Sequence, residues 1–521
     1  MVDSSKIKNN ILKLKRLIAG VWLVVIAVES AVFPEWNTII ALAFSSMGLW
    51  LCGRCVFTEH NLLKYPVSTI AIVMYPFFFM FLPPIATMLE FKPVTYNLHS
   101  TTETYFQMLV LFSALIVIHS LYRKFCVGTS HKKFLMKLGY FRELSSQELW
   151  TTIIISLMIY VYSIYSYGLY DENMENTRAE MPIWIQAVSF VFGSAYSIVF
   201  VFYMKRMGII RGTDKGHSIL VCIVVAITLI TGIATNMRTA SIICFSTGMF
   251  IFIVYDLYYP VDFQRFFSMK KILLGLLAVW FFTGPFMDIS NAMLLSRGDR
   301  YGKNGMEVLE LTLSHMGEAK KERNNSKDYS SNKIYWDEEY LDNHILNRFC
   351  SIKILDESLF HAHRCGYSNP IMRETLFLKI CDDLPGPVKN IVGVNIPDNI
   401  RSYSLTDKLY TLSVSGASLG GVKIGTLQGL GLALFGWWYI PILFPIYFIL
   451  FFLLDSAIFA YKGELKISYW FLFNVVALVY WFSDRHYYQW EIRWIMRTFW
   501  ESTFFFLLYM KVIKFIPFIK H

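Results

Sequence analysis

QGLGLALFGWWYIPILFPIYFILFFLL, residues 428–454, decides the fold: the stretch holds no Asp, Glu, Lys or Arg and is long enough to cross a hydrocarbon core as one helix. Comparable apolar runs recur along the whole chain. A β-barrel would show short alternating segments instead, so helices are the spanning element. The composition agrees. Of 521 residues, 55% are hydrophobic and only 17% charged, and the mean hydropathy is +0.44. A soluble chain of this size is neither so apolar nor so weakly charged.

Working outward from that run gives about twelve spans. They cover approximately 17–33, 38–53, 67–87, 104–122, 149–169, 184–204, 218–235, 239–259, 271–289, 428–454, 468–483 and 498–517. The expected fold class is an all-α polytopic integral membrane protein with one large extracytoplasmic loop between spans 9 and 10. Three segments follow: 1–289 with spans 1–9, 290–427 as the loop with amphipathic helices, and 428–521 with spans 10–12. Basic residues near the amino terminus precede an apolar run, but Glu29 stands where a signal peptide needs a small-residue cleavage site, so a retained signal-anchor is expected.

Counting Lys and Arg in the amino terminus and alternate short connections gives about 25 on one side and about 6 on the other. This asymmetry, carried by Arg123, Lys124, Lys132, Lys133, Lys137 and Arg142 among others, places both termini in the cytoplasm. The net charge of +10 then reflects a basic membrane face and calls for no nucleic acid. The acidic DENMENTRAE and the long 290–427 connection fall outside.

Inside that connection, GEAKKERNNSKDYSSNK is charged and rich in Ser and Asn, which suits a solvated excursion. Downstream, Ile345, Phe349, Ile352, Leu355 and Leu359 recur at helical spacing after Asp342 or Asn343 as N-cap. Arg348, Asp356 and His363 fall near the same arc. That face is a candidate catalytic surface, the alternative being an interfacial helix whose Arg348 snorkels to head groups. Prolines in LPGPVKN and NIPDN argue for turns. The loop holds Cys350, Cys365 and Cys381, enough for one internal disulfide at most.

Several clusters can carry chemistry. NMRTAS puts Arg238 in a short external turn, where a guanidinium suits pyrophosphate oxygens. SDRHYYQWEIRWIMRTFWES spaces Arg493, Arg497 and Glu501 every fourth residue on one helix face. Its Tyr and Trp residues fit an interface belt. Arg297 and Arg300 open the large loop, and His361, His363 and Arg364 follow its amphipathic helix. His-x-His invites a metal, yet no third ligand stands at a usual spacing, and an acid–base role for either histidine is better motivated. Cys52 and Cys55 lack a second pair. No P-loop, dinucleotide fingerprint, G-x-S-x-G or H-E-x-x-H is present, which disfavours ATP-driven and hydride chemistry.

The multi-span plan, NMRTASIICFSTGMF with its Arg followed by small residues, the big late loop, and the glycine-rich return GASLGGVKIGTLQGLGLALFG together resemble the bacterial O-antigen (oligosaccharide repeat unit) polymerase family. The resemblance implies an inner-membrane glycosyltransferase that needs no metal or other cofactor. Such an enzyme moves a glycan from undecaprenyl pyrophosphate onto another lipid-linked repeat unit, with a chain-length regulator as a partner. It further implies that arginines such as Arg238, Arg297, Arg300, Arg364, Arg493 and Arg497 bind substrate, with His363, Asp356 and Arg348 as catalytic candidates. An O-antigen ligase would use the same donor and a similar residue set. A transporter or flippase fits less well, because the loop breaks any even split into repeats.

Overall fold

The computed structural model describes residues 4–126, 128–167, 218–234, 305–318, 335–343, 349–384, 386–420, 423–461, 464–474 and 488–513, with isolated positions between them. In chain order the helices are α1 Ser4–Val32, α2 Trp36–Leu51, α3 Glu59–Lys64, α4 Pro66–Pro76, α5 Leu82–Leu89, α6 Thr101–Phe125, α7 Ser130–Lys137, α8 Ser146–Tyr167 and α9 Ser218–Ala234. There follow α10 Gly305–Ser314, α11 Ile352–Cys365, α12 Pro370–Asp383, α13 Gly386–Val392, α14 Leu405–Ser413, α15 Leu427–Phe435 and α16 Tyr439–Asp455. The chain then forms strands β1 Ile458–Tyr461 and β2 Glu464–Ile467 before α17 Tyr469–Asn474, α18 Tyr488–Arg493 and α19 Phe499–Val512.

Among the described residues, four helical stretches are long and apolar enough to cross a membrane: Trp36–Val56, Pro66–Leu89, Thr101–Phe125 and Leu427–Asp455. They coincide with the second, third, fourth and tenth spans expected from sequence. The chain is therefore a helical membrane protein. α1, α8 and α9 cover the first, fifth and seventh expected spans. The sixth, eighth and most of the ninth lie outside the described residues. Among the described residues, the one departure from an all-α plan is the short antiparallel pairing of β1 with β2.

Contacts sort the connections into two ends. At the lower end, the Tyr65 hydroxyl donates to the Arg123 carbonyl at 3.1 Å, Lys132 Nζ to the Ile458 carbonyl at 3.2 Å, and Ser468 Oγ to the Tyr140 carbonyl at 2.8 Å. The turns after α2, α6 and α16 thus meet. At the upper end, the Val94 N–H donates to Glu29 near the end of α1, and Tyr340 of the large connection donates to the Val94 carbonyl at 2.6 Å. Asn97 donates to Asp337 and to the Glu339 carbonyl, each at 2.7 Å. The large connection therefore shares its end with the α5–α6 turn.

Local chemistry explains the elements. Pro66 begins α4, where its missing N–H is no loss. Asn369 caps α12 by accepting from the Ile371 and Met372 N–H groups, with Pro370 at the first turn. Ser404 and Asp407 form a reciprocal capping box on α14. Gly436, at φ +57, ends α15 and starts a tight turn at Gly436–Trp438, which splits the apolar 427–455 stretch into a short leg and a long one. The short leg sits tightly on α11. A Cβ placed on Gly429 would lie 2.4 Å from Ser358 Cβ and 2.6 Å from its carbonyl carbon, so only glycine lets these backbones approach.

The helix expected as continuous from Ile345 is interrupted: Leu346 and Asn347 are helical, residues 349–351 are not, and α11 begins at Ile352. Asn343 Oδ1 accepts from the Leu346 N–H at 3.2 Å, and Asn347 Oδ1 from the Tyr340 N–H at 2.8 Å. These side chains stabilise a separate turn before α11. LPGPVKN likewise carries the short helix α13 rather than turns alone. Its Pro387 is the second helical residue, a position that tolerates proline. Cys350, Cys365 and Cys381 are all free thiols.

Candidate acid–base site at the upper end

α11 carries the site. Its side chains divide between a buried ionic cluster near the start and open groups near the end. Lys353, Asp356, Glu357 and His361 are all buried. The Lys353 ammonium lies 2.6 Å from Glu357 and 3.6 Å from Asp356. His99 of the α5–α6 turn lies 2.8 Å from Glu357 Oε1 and stacks on Phe360, centroids 4.0 Å apart.

Burial opposes ionisation of Glu357, but the imidazoles of His361 and His99 and the Lys353 ammonium outweigh it and hold the carboxyl at about 2. His361 Nε2 stands 3.5 Å from Glu357 Oε2, an electrostatic contact more than a well-formed hydrogen bond. Ser413 Oγ donates to the Tyr410 carbonyl, so the 2.7 Å contact with His361 Nδ1 has the imidazole as donor.

His99, Asp356 and Glu357 bring ligand atoms within 4.8 Å of one another, close enough in principle for a metal ion. Lys353 takes the cation's place. Its ammonium already bridges both carboxylates, and a buried site of this size has no use for a second cation.

Asp356 is fully engaged. Its carboxylate accepts from the His99 N–H at 2.7 Å, the Ser100 N–H at 3.1 Å and Thr104 Oγ1 at 2.9 Å. Those groups form the exposed start of α6, whose first N–H groups have no partner within the helix. Asp356 therefore ties down, from a distant element, the two residues that lead into α6 and the hydroxyl of its fourth residue. Expected from sequence as a catalytic residue, it makes anchoring contacts to the start of α6.

His363, two turns beyond Asp356, faces the same start of α6 but remains open. Its side chain is 48% exposed, and its Nε2 lies 2.5 Å from Glu103 Oε1. The Tyr367 hydroxyl stands 3.1 Å from Nε2 and 3.2 Å from Nδ1. Burial, with the Glu103 carboxylate beside it, raises the Tyr367 phenol above its ordinary range and keeps it a proton donor. Arg364 lies next along the helix. Its Nε donates to the Ser413 carbonyl at 3.2 Å and its guanidinium stacks on Phe360, which fixes the group while leaving it exposed.

Arg493 and Arg497 sit where the last span begins, and both turn toward α12. Arg493 lies 3.1 Å from Asp383 Oδ1. Arg497 bonds Glu501 at 2.8 Å and the Asp383 carbonyl at 3.2 Å. Gln489 adds a 2.8 Å bond to Asp383. These contacts dock the large connection onto the final helix and leave less of either cation for a ligand. Arg238, Arg297, Arg300 and Arg348 lie outside the described residues. Sequence reading missed Glu103, His99, Lys353 and Glu357. The Lys353/Glu357 spacing was visible, but only tertiary contacts join it to the α6 turn.

No protein-family model matches the chain, and neither the curated proteins nor the solved structures hold a match.

Proposed function

We propose that this protein is a membrane glycosyltransferase of about twelve spans that polymerises oligosaccharide repeat units carried on undecaprenyl pyrophosphate at the outer face of a bacterial inner membrane. The observation that carries the reading is the pairing of an open histidine with an open arginine at one membrane end: His363 is held by a carboxylate, and Arg364 is held by a carbonyl and a ring. The resemblance to O-antigen polymerases supplies the substrate class. Charge supplies the side. Lys and Arg crowd the lower end, which by the positive-inside tendency is cytoplasmic, and the large connection then works outside. Exposed Trp36, Trp437 and Trp438 at the upper end mark the interface level at which a lipid diphosphate presents itself.

In the proposed reaction, His363 accepts the proton of an acceptor hydroxyl as its oxygen attacks the anomeric carbon of the donor glycan. The bond from that carbon to the diphosphate oxygen breaks, and the electron pair leaves with the diphosphate. Arg364 stabilises the departing charge. Arg238, Arg297 and Arg300 remain further candidates for the same anion, while Arg493 and Arg497 serve chiefly to hold α12.

The test is reconstitution: purified protein given lipid-linked repeat units yields a ladder of polymer, and His363→Ala yields none. A full ladder from His363→Ala overturns the reading. In the producing strain, deletion removes long chains and leaves a single capped unit, whereas loss of every unit means a ligase.

A further inference from the structure

We infer that Glu103 is the positioning residue for His363, so that the acid–base pair is built jointly by a membrane-spanning helix and the large connection. The inference rests on the reading of His363 given above and adds to it a residue from the first turn of a span.

Glu103 and His363 stand 260 positions apart in the chain, and no local element holds them together. Geometry does so through three contacts. A carboxylate oxygen accepts and an imidazole N–H donates, so the 2.5 Å contact puts a hydrogen on Nε2 and makes Nδ1 the ring nitrogen available to a proton. Nδ1 is then the atom that accepts a proton. The Tyr367 phenol, 3.2 Å from Nδ1 and 3.1 Å from Nε2, is nearly equidistant from the two nitrogens and selects neither.

The second contact is the Asp356 carboxylate. It ties α11 to His99, Ser100 and Thr104, the residues that bracket Glu103, and so fixes the register of one helix against the other. The third is His99, clamped between Glu357 and Phe360 on α11. With these in place, the backbone segments that carry Glu103 and His363 cannot part without breaking buried bonds.

Glu103 has a competing structural use, since a carboxylate in a first turn favours the helix dipole. That use affects stability alone and predicts no change in turnover. The two roles separate in one experiment on the full-length protein in detergent, with lipid-linked repeat units as substrate and diethyl pyrocarbonate as a probe of His363. Glu103→Gln is expected to lower kcat about tenfold to a hundredfold, with KM within about twofold of wild type. It should also change the rate at which His363 is modified. Glu103→Asp should recover part of the loss.

Wild-type kcat in Glu103→Gln, with His363→Ala inactive, overturns the positioning role and leaves the proposed function standing. Turnover by His363→Ala overturns both. Should Glu103→Gln fail to accumulate, Glu103→Asp decides: a reduced kcat at unchanged KM supports the role, and an unchanged kcat overturns it.

Discussion

Two buried aspartates at opposite ends of the helix bundle do the same job in different company. At the lower end, Asp455 terminates α16 and accepts from the Val67 N–H at 3.0 Å, the Ser68 N–H at 3.1 Å, Ser68 Oγ at 2.5 Å and Tyr122 at 3.2 Å. It caps the first turn of α4, whereas Asp356 holds the two residues that lead into α6. Around Asp455 the polar partners are consumed in joining α4, α6 and α16, His119 included through its 3.0 Å contact with Ser68. Around Asp356, the same anchoring leaves His363 and Arg364 facing water one or two turns away. Such anchoring is a general device for fixing a helix start; the unspent groups beside it distinguish a working end from a sealed one.

Breaking each anchor tests that distinction. Asp356→Ala strips three donors of their acceptor and removes one counter-charge from Lys353, so a loss of about 3–5 kcal/mol is expected, with the ladder abolished. Thermal unfolding in detergent measures it, and wild-type stability would deny Asp356 its anchoring role. Asp455→Ala is expected to cost about 1–3 kcal/mol, yet turnover per folded molecule should persist. If that turnover collapses as it does in His363→Ala, the two ends do not divide the labour as described.

Gly429→Ala sharpens the view of how the upper end is docked. The added methyl meets the Ser358 backbone, and separating α15 from α11 should cost about 1–3 kcal/mol. Unchanged stability would mean the two helices part without penalty. Acid probes the same region. The Glu357 carboxyl stands at about 2 in the fold against 4.5 ordinarily, so its contribution is complete above pH 4.5 and falls away as pH drops toward 2. Hydrogen exchange should therefore show α11 loosening across that window; protection unchanged down to pH 2 would remove Glu357 from the account. The smallest effect belongs to the half-exposed Arg497–Glu501 pair. Arg497→Ala should change stability by no more than about 1 kcal/mol through that pair.

The four spans seen among the described residues were legible because each is a local property: a run of apolar residues has one economical use whatever its neighbours. Helix bounds inside the large connection were less so. Asn343 and Asn347 diverted the chain into a turn that periodicity alone reads as continuing helix, and Pro387 was read as a breaker although it sits where a helix accepts it. Of the site, His363 and Arg364 were visible as ionisable groups on an amphipathic helix. The role of Asp356 was not, because its carboxylate serves N–H groups more than 250 residues away. Glu103 was hidden for the same reason, and for a second one: at the mouth of a span, a lone carboxylate looks like a dipole partner.

The anchoring of α6 by Asp356 also sets an order of events in biosynthesis. Thr104 precedes Asp356 by 252 residues, so the ribosome has inserted this helix long before the carboxylate that completes it exists. Until then the head of the helix must borrow water or lipid phosphate for its free amides. A nascent chain halted short of residue 356 would carry that unfinished end at the membrane surface, a recognisable mark for quality control.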